Sequence, residues 1–236
     1  MTTRIAIIGE GRMGGRLAEL ASAMECQVVA HLGRAKVATG LSRAAFADAQ
    51  VAIEFTRPAA AASLVRACAD AGVPVVSGTT GWDAERAAVE ADVRASTGAL
   101  LWAPNFSLGA HLFGKLVEEA ARLYLRDGAG LGAAFDAEII ETHHTKKLDA
   151  PSGTARSLAA AAERGAGRPV PVTSVRIGDV VGTHELVLDA PFEQVRLVHE
   201  ARDRRVFAAG ALRAAQWLAG RRGVFTLDDF LGDPSR

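Results

Sequence analysis

The stretch from Glu138 to Thr154 reads E-I-I-E-T-H-H-T-K-K-L-D-A-P-S-G-T. It gathers two of the six histidines, a lysine pair and a Pro-Ser-Gly-Thr turn that runs into an Ala-rich segment. No other stretch packs so many groups able to donate a proton or hold an anion. His143 and His144 fall at the end of an apolar run that reads as a strand. Neighbouring side chains there point to opposite faces, so the two imidazoles do not converge on one metal. No H-E-x-x-H is present and the nearby carboxylates are not at ligand spacing, so no metal is expected. Lys146 and Lys147 follow. Asp149, Pro151 and Ser152 then read as a helix start, with Ser152, Gly153 and Thr154 supplying N–H groups and hydroxyls. A helix start beside cations suits a carboxylate, which points to a small acid carrying more than one. The bland alternative is a solvated basic loop ending in a helix cap.

These groups need a partner in the chemistry, and the N-terminus carries one. Residues 4–8 are a compact β-branched run, as a central parallel strand should be. They flow into Gly9-Glu10-Gly11-Arg12-Met13-Gly14, a G-x-G-x-x-G, and residues 16–24 read as a helix. Between strand and helix these glycines have defined tasks. Gly9 permits the tight turn, Gly11 lets backbone approach a pyrophosphate, and Gly14 lets helix and strand pack closely. The helix N-terminus then presents N–H groups to the phosphates. The alternative is an ordinary strand-to-helix turn rich in glycine. Residues 27–32 form the second strand. Its end, Leu32-Gly33-Arg34, lacks the usual acid for the adenosine ribose. Arg34 could pair with a 2′-phosphate instead, which leans to NADPH, or to use of both NADPH and NADH; otherwise Arg34 is a solvated loop residue.

Strands at 51–55, 73–77 and 100–103 alternate with helices at 59–71 and 83–96, the rhythm of a doubly wound parallel sheet. Ligands bind such sheets at the carboxyl ends of the strands. Gly78, Thr79 and Thr80 lie there, as do Ala103, Pro104, Asn105 and Phe106. A long helix at 108–125 carries Leu108, Leu112, Leu116, Val117, Ala120 and Tyr124 at helical spacing, read as a core stripe. A connection with Gly128, Gly130 and Gly132 follows. Strands at 137–143, 172–177, 183–189 and 194–199, with a helix at 157–164, then form a second domain. Helical residues 211–219 and the segment 224–231 are expected to fold back onto the first. The fold class is therefore α/β: an N-terminal Rossmann-like parallel sheet plus a second α+β domain with a mixed, largely antiparallel sheet. Residues 1–107 and 211–236 form the dinucleotide-binding domain and 108–210 the substrate domain.

Lys+Arg and Asp+Glu are both 27, so net charge argues for neither nucleic acid nor an anionic membrane as partner. At 49% hydrophobic and 23% charged, the 236 residues suffice for a real core. The apolar run at 5–8 is too short for a signal peptide, and no stretch is long enough to span a bilayer. Cys26 and Cys68 stand outside any C-x-x-C or zinc spacing and read as buried inert thiols, which fits a reduced cytoplasmic setting.

The run H-H-T-K-K-L-D-A-P-S-G-T-A closely resembles the signature E-x-H-H-x-x-K-x-D-x-P-S-G-T-A of the dihydrodipicolinate reductase family, also called 4-hydroxy-tetrahydrodipicolinate reductases. The resemblance extends over nearly the whole chain. It includes Glu54-Phe55-Thr56-Arg57-Pro58, Gly78-Thr79-Thr80-Gly81, Asn105-Phe106-Ser107-Leu108-Gly109, Ile177-Gly178-Asp179-Val180-Val181-Gly182-Thr183-His184 and Phe207-Ala208-Ala209-Gly210-Ala211. It implies an enzyme of lysine and diaminopimelate biosynthesis that reduces a cyclic dicarboxylate imine with NADPH or NADH and releases water. His143 and Lys147 would handle protons, Lys147 as donor. His144, Ser152, Gly153 and Thr154 would hold the substrate carboxylates. The residues from Gly9 to Gly14, Arg34, Gly78 to Thr80 and Ala103 to Phe106 would line the cofactor. A homotetramer built through the second sheet is implied, with a hinge that closes over the substrate. The physical case agrees, since hydride delivered to a conjugated imine builds negative charge that a nearby lysine stabilises and then quenches with a proton. Three departures stand out. The glycine turn is one residue short of the common G-x-x-G-x-x-G, and the segment before the Phe-Thr-Arg-Pro motif is short. Lys146 stands where another histidine is common. Competing readings are a different NADP-dependent oxidoreductase acting on a sugar or aldehyde, and a nucleotide-binding regulator without catalysis.

Overall fold

The computed structural model describes residues 2–38, 40–128 and 135–234. Gly130 and Gly132 lie outside them. The chain forms two compact units: Met1–Phe106 with Arg205–Arg236, and Ser107–Arg204.

The first unit is built on β1 (Thr3–Ile8), whose Ile5 to Ile8 are fully buried, as expected of a strand covered on both faces. Then come α1 (Arg12–Ala21), β2 (Cys26–Leu32), α2 (Arg34–Ala38), β3 (Val51–Glu54), α3 (Pro58–Asp70), β4 (Val75–Ser77), α4 (Asp83–Ala95) and β5 (Ala99–Trp102). After the second unit the chain returns through α7 (Arg205–Leu218), β10 (Gly223–Phe225) and α8 (Leu227–Gly232). The sheet order is β10-β5-β4-β3-β1-β2, and all its pairs are parallel. Because β1 pairs with β2 on one side and β3 on the other, the chain switches direction across the sheet at β1. That is where such folds bind ligands.

Two expectations shift. The first helix begins at Arg12, inside the glycine turn, rather than at 16. Between β2 and β3, after α2, comes a 3-10 turn whose Phe46 is fully buried in the core. The return to the first unit falls at Arg205, not 211. Here α7 is one continuous helix whose Ala208, Ala211, Leu212 and Ala215 are buried, and it packs against α1 and the strands β3 to β5.

The second unit contains α5 (Leu108–Ala121), β6 (Asp136–His143), α6 (Gly153–Ala166), β7 (Val172–Arg176), β8 (Thr183–Ala190) and β9 (Glu193–Glu200). A π-helical turn, Arg122–Asp127, extends α5. The sheet order is β7-β6-β8-β9. β6 and β7 are parallel, joined through α6, while β8 pairs antiparallel with both β6 and β9. Phe113, Val117, Ala121, Leu158, Ala162, Ile139, Leu186 and Leu188 share one core. A Cβ on Gly165 would lie 2.1 Å from the Glu118 carbonyl oxygen, so α5 and α6 meet backbone to backbone.

That close approach fixes which face of α5 is inward, and it keeps only part of the expected stripe: Val117 and Ala120 are in the core and Tyr124 packs against it, but Leu112 and Leu116 are not. Phe113, Val117, Ala120 and Ala121 are buried, whereas Leu112 and Leu116 are 46% and 57% exposed. Both stripes have helical spacing, and only the packing partner chooses between them.

Candidate active site

At the carboxyl edge of the first sheet the turn after β1 is shaped by what its glycines lack. Gly9 has φ +119°, and a Cβ there would lie 2.2 Å from the Phe55 carbonyl oxygen. A Cβ on Gly14 would lie 2.1 Å from the Gly9 carbonyl oxygen, so helix and turn touch. At Gly11, by contrast, a Cβ would meet nothing within 4 Å: that glycine faces open space. No side chain caps the N-terminus of α1, and its first turn holds no acid. Free N–H groups behind an open glycine fit the pyrophosphate of a dinucleotide. Arg12 is exposed at the head of α1, Met13 is half-buried behind it, and Arg34 is exposed at the start of α2.

Along the same edge Glu54 is fully buried and accepts from the hydroxyls of Ser77 at 2.6 Å and Thr79 at 2.7 Å, and from that of Thr56. Thr79 also accepts from the Thr56 N–H at 2.8 Å, and its carbonyl receives the indole N–H groups of Trp82 and Trp102. Thr79 is thus committed to holding the turn in shape, while Thr80 is exposed and Gly78 half-buried. A Cβ on Gly78 would strike the Phe55 ring at 2.0 Å, and that ring packs edge-on to Phe106 at 6.0 Å. Ala103 and Phe106 are buried, Asn105 is half-buried and Pro104 is exposed.

The second site grows from one face of the second sheet. Ala137 and Ile139 on β6, Leu188 and Leu186 on β8, and Val195 and Leu197 on β9 line the core. At the same end of each strand, two residues further on, the apolar series gives way to Glu141, His184 and His199. Glu141 lies opposite His184, and His184 opposite His199. His143 follows Glu141 on the same face. Its Nδ1 contacts a Glu141 carboxylate oxygen. The other oxygen accepts from Arg176 at 2.6 Å and from the Ser152 N–H at 3.3 Å.

Glu141 is fully buried, and burial alone would raise its pKa. Donation from Arg176 and Ser174, together with the His143 charge, outweighs burial and holds it down to about 2. Glu141 is therefore an ionised base plate beneath His143. His143 is itself lowered, first by burial and then by Lys147 and Arg176, against the pull of Glu141. His184 falls to about 4, through burial and the neighbouring His143. The far nitrogen of His143, Nε2, faces Gly182, where an added Cβ would lie only 2.9 Å away. Glycine at 182 keeps that nitrogen open.

The expected residues divide. His143 lies at the centre of the cluster. Lys147 acts on it electrostatically, while its ammonium bonds both Asp149 oxygens at 2.8 and 3.0 Å and holds that carboxyl below its usual range. His144 lies past the end of β6. Its Nε2 accepts from Arg204 at 2.8 Å, and its buried Nδ1 has no partner among the described residues, a donor left for a ligand. Ser152 is buried and turned inward: its hydroxyl caps α6 on the Ala155 N–H and meets His184 Nε2 at 3.3 Å. Gly153 is exposed and Thr154 half-buried in the first turn of α6.

Sequence reasoning gave no role to Glu141, Arg176, Gly182, His184 or Arg204. Glu141 could have been found, since it stands two residues before His143 on the same strand face. Arg176 and Arg204 carry no local signal. Glu141, His143 and His184 offer ligand atoms within 4.8 Å of one another. The carboxylate is already answered by Arg176 and the Ser152 amide, so a cation would have to displace them.

An uncapped helix behind a G-x-G-x-x-G at the switch point of a parallel sheet, with a separate acid–imidazole–guanidinium cluster, is the equipment of a two-domain pyridine-nucleotide oxidoreductase. Comparison with known proteins narrows this class. The chain belongs to the dihydrodipicolinate reductase family: the family's N-terminal part matches residues 3–106 and its C-terminal part residues 109–231. It is 39% identical to the 4-hydroxy-tetrahydrodipicolinate reductase of Thiobacillus denitrificans, over 98% of this chain and 99% of that one. With the reductase of Stenotrophomonas maltophilia strain R551-3 it shares 41% identity, over 97% of each. In fold it resembles the dipicolinate-bound dihydrodipicolinate reductase from Paenisporosarcina sp. TG-14, with a TM-score of 0.77 at 23% identity, covering 96% of this chain and 98% of that one.

Proposed function

We propose that this chain is a 4-hydroxy-tetrahydrodipicolinate reductase, forming tetrahydrodipicolinate with NADPH or NADH and loss of water, in lysine and diaminopimelate biosynthesis. The observation that carries the reading is the buried Glu141–His143 pair, with Nε2 kept open by Gly182 and two cations nearby, in a chain that matches this family from end to end.

The first unit would hold the dinucleotide, with the α1 N–H groups answering its pyrophosphate. The bound nicotinamide supplies the hydride. The second unit holds the dicarboxylate. The His144 Nδ1–H, the Gly153 amide and Thr154 bind its carboxylates, with Ser152 setting the turn. Arg176 and Lys147 make the site attractive to anions. Lys147, released from Asp149 when a carboxylate competes for it, stabilises the charge that builds on the ring and donates the proton. His143 exchanges protons at Nε2 while Glu141 fixes its tautomer through Nδ1.

Among the described residues no helix is long and apolar enough to cross a membrane. Both cysteines are free and buried, their thiols pushed up first by burial, which supports a reducing, cytoplasmic setting. Val175 and Val198 are exposed on β7 and β9, with Ile177 just beyond β7. These apolar side chains support assembly into a homotetramer through the second sheet.

The test is loss of NADH or NADPH absorbance, each tried separately, when the unstable substrate is generated in situ by the preceding enzyme of the pathway. Oxidation well above background is expected. A chain that binds either cofactor yet oxidises neither would instead be a nucleotide-binding regulator.

A further inference from the structure

The end of β2 lacks the acid that dinucleotide folds use to hold the adenosine ribose, yet an acid stands there. A Cβ built on Gly33, the residue after β2, would lie 1.9 Å from Glu10 Oε1, 2.0 Å from its Cδ and 2.3 Å from Oε2. The Glu10 carboxylate therefore fills the volume in which a side chain at 33 would begin. Two bonds keep the turn beside this strand end: the Gly9 N–H donates to the Leu32 carbonyl at 3.0 Å, and His31 Nε2 contacts the Gly9 carbonyl at 2.9 Å. Gly33 is buried whereas Glu10 is exposed, so the carboxylate remains accessible.

We propose that Glu10 replaces the strand-end acid, accepting hydrogen bonds from the adenosine ribose hydroxyls and so selecting NADH over NADPH. This rests on the dinucleotide-binding reading of the first unit. A vicinal diol offers two donors to one carboxylate, whereas a 2′-phosphate set against the same carboxylate meets like charge. A side chain at 33 would turn the carboxylate away from this spot, because the carboxylate is the far end of an exposed, rotatable side chain. Arg34, exposed beside them, is the cation that a 2′-phosphate would use. Where the sequence alone leans to NADPH through Arg34, this geometry favours NADH.

Titration calorimetry of the full chain with NADH and with NADPH, without substrate, decides the matter. Wild type should bind NADH about tenfold tighter, the scale of one charge-assisted hydrogen bond. Glu10→Gln should weaken NADH about tenfold and leave NADPH equal or tighter. Glu10→Ala combined with Gly33→Glu should regain the NADH preference, because the acid returns to the same place on the other chain segment. Arg34→Ala should weaken NADPH and so widen the NADH preference. An NADH to NADPH ratio that Glu10→Gln does not move, with both cofactors still bound, would overturn the assignment of Glu10 alone. Failure of folded wild type to bind either cofactor would overturn the dinucleotide reading and this proposal with it.

Discussion

The two functional regions are made in opposite ways. The edge of the first sheet works by omission. Gly9, Gly14 and Gly78 are positions where a Cβ would strike backbone or ring, and Gly11 is left facing open space. The helix start behind them has no side-chain cap. The cluster on the second sheet works by concentration: Glu141, His143, Arg176, Ser152 and His184 fit around one buried carboxylate. At Gly9, Gly14 and Gly78 added volume is what the fold does not tolerate. A site of concentrated charge is sensitive to the loss of a charge instead, and that contrast can be tested.

The largest expected effect is on the charged side. Lys147→Ala should lower turnover by about 10²- to 10⁴-fold, the usual worth of a positioned proton donor, while cofactor binding by calorimetry stays the same. Equal turnover would remove the role given to this lysine. Next is Glu141→Ala, which strands Arg176 and His143 around an empty place. It should cost about 3–5 kcal/mol in denaturant unfolding at neutral pH. The sign of its pH dependence is fixed. A carboxyl held down to about 2 in the folded chain stabilises fully above the ordinary carboxylate range, and its contribution fades as pH falls towards 2. Wild type and variant should therefore converge in acid; a constant gap would show that the carboxylate's charge is not what stabilises.

On the other side, Gly9→Ala puts a side chain at φ +119° and against the Phe55 carbonyl. A loss of about 1–3 kcal/mol, with cofactor binding abolished, is expected. A charge change nearby that keeps volume should do far less to stability. A smaller effect belongs to His184, whose pKa is lowered to about 4. It stays neutral in the folded chain while the unfolded chain takes up a proton, so it lowers stability as pH falls from about 6.5 to 4. His184→Gln should flatten the stability profile in that window, measured by thermal unfolding. The smallest effect, under about 0.5 kcal/mol, is expected for Leu112→Lys on the exposed side of α5. Phe113→Ala, one residue on, should cost about 3–5 kcal/mol.

The same contrast explains what could be read in advance. Gly9, Gly11 and Gly14 are visible because strand, turn and helix start are consecutive in sequence, and each glycine's task is local. The alternation of strands and helices gave the parallel sheet for the same reason. The His-His-Thr-Lys-Lys run marks the loop that follows His143, but groups that act on His143 are elsewhere: Arg176 and His184 arrive on other strands. Glu10 was placed in the turn correctly and given no distinct task, because its neighbour Gly33 is reached only through the pairing of β1 with β2.

By itself the sequence determined the family, the alternation of the main strands and helices, and where the side-chain types able to transfer a proton are concentrated. Those depend on local period, turn chemistry and side-chain type. The tertiary structure decided which stripe of α5 is inward, that Glu141 is ionised beneath His143, and that an acid occupies the end of β2 after all. Each of these depends on cross-strand register or helix contact, in which residues far apart in the chain exclude water together and fix one another's charge.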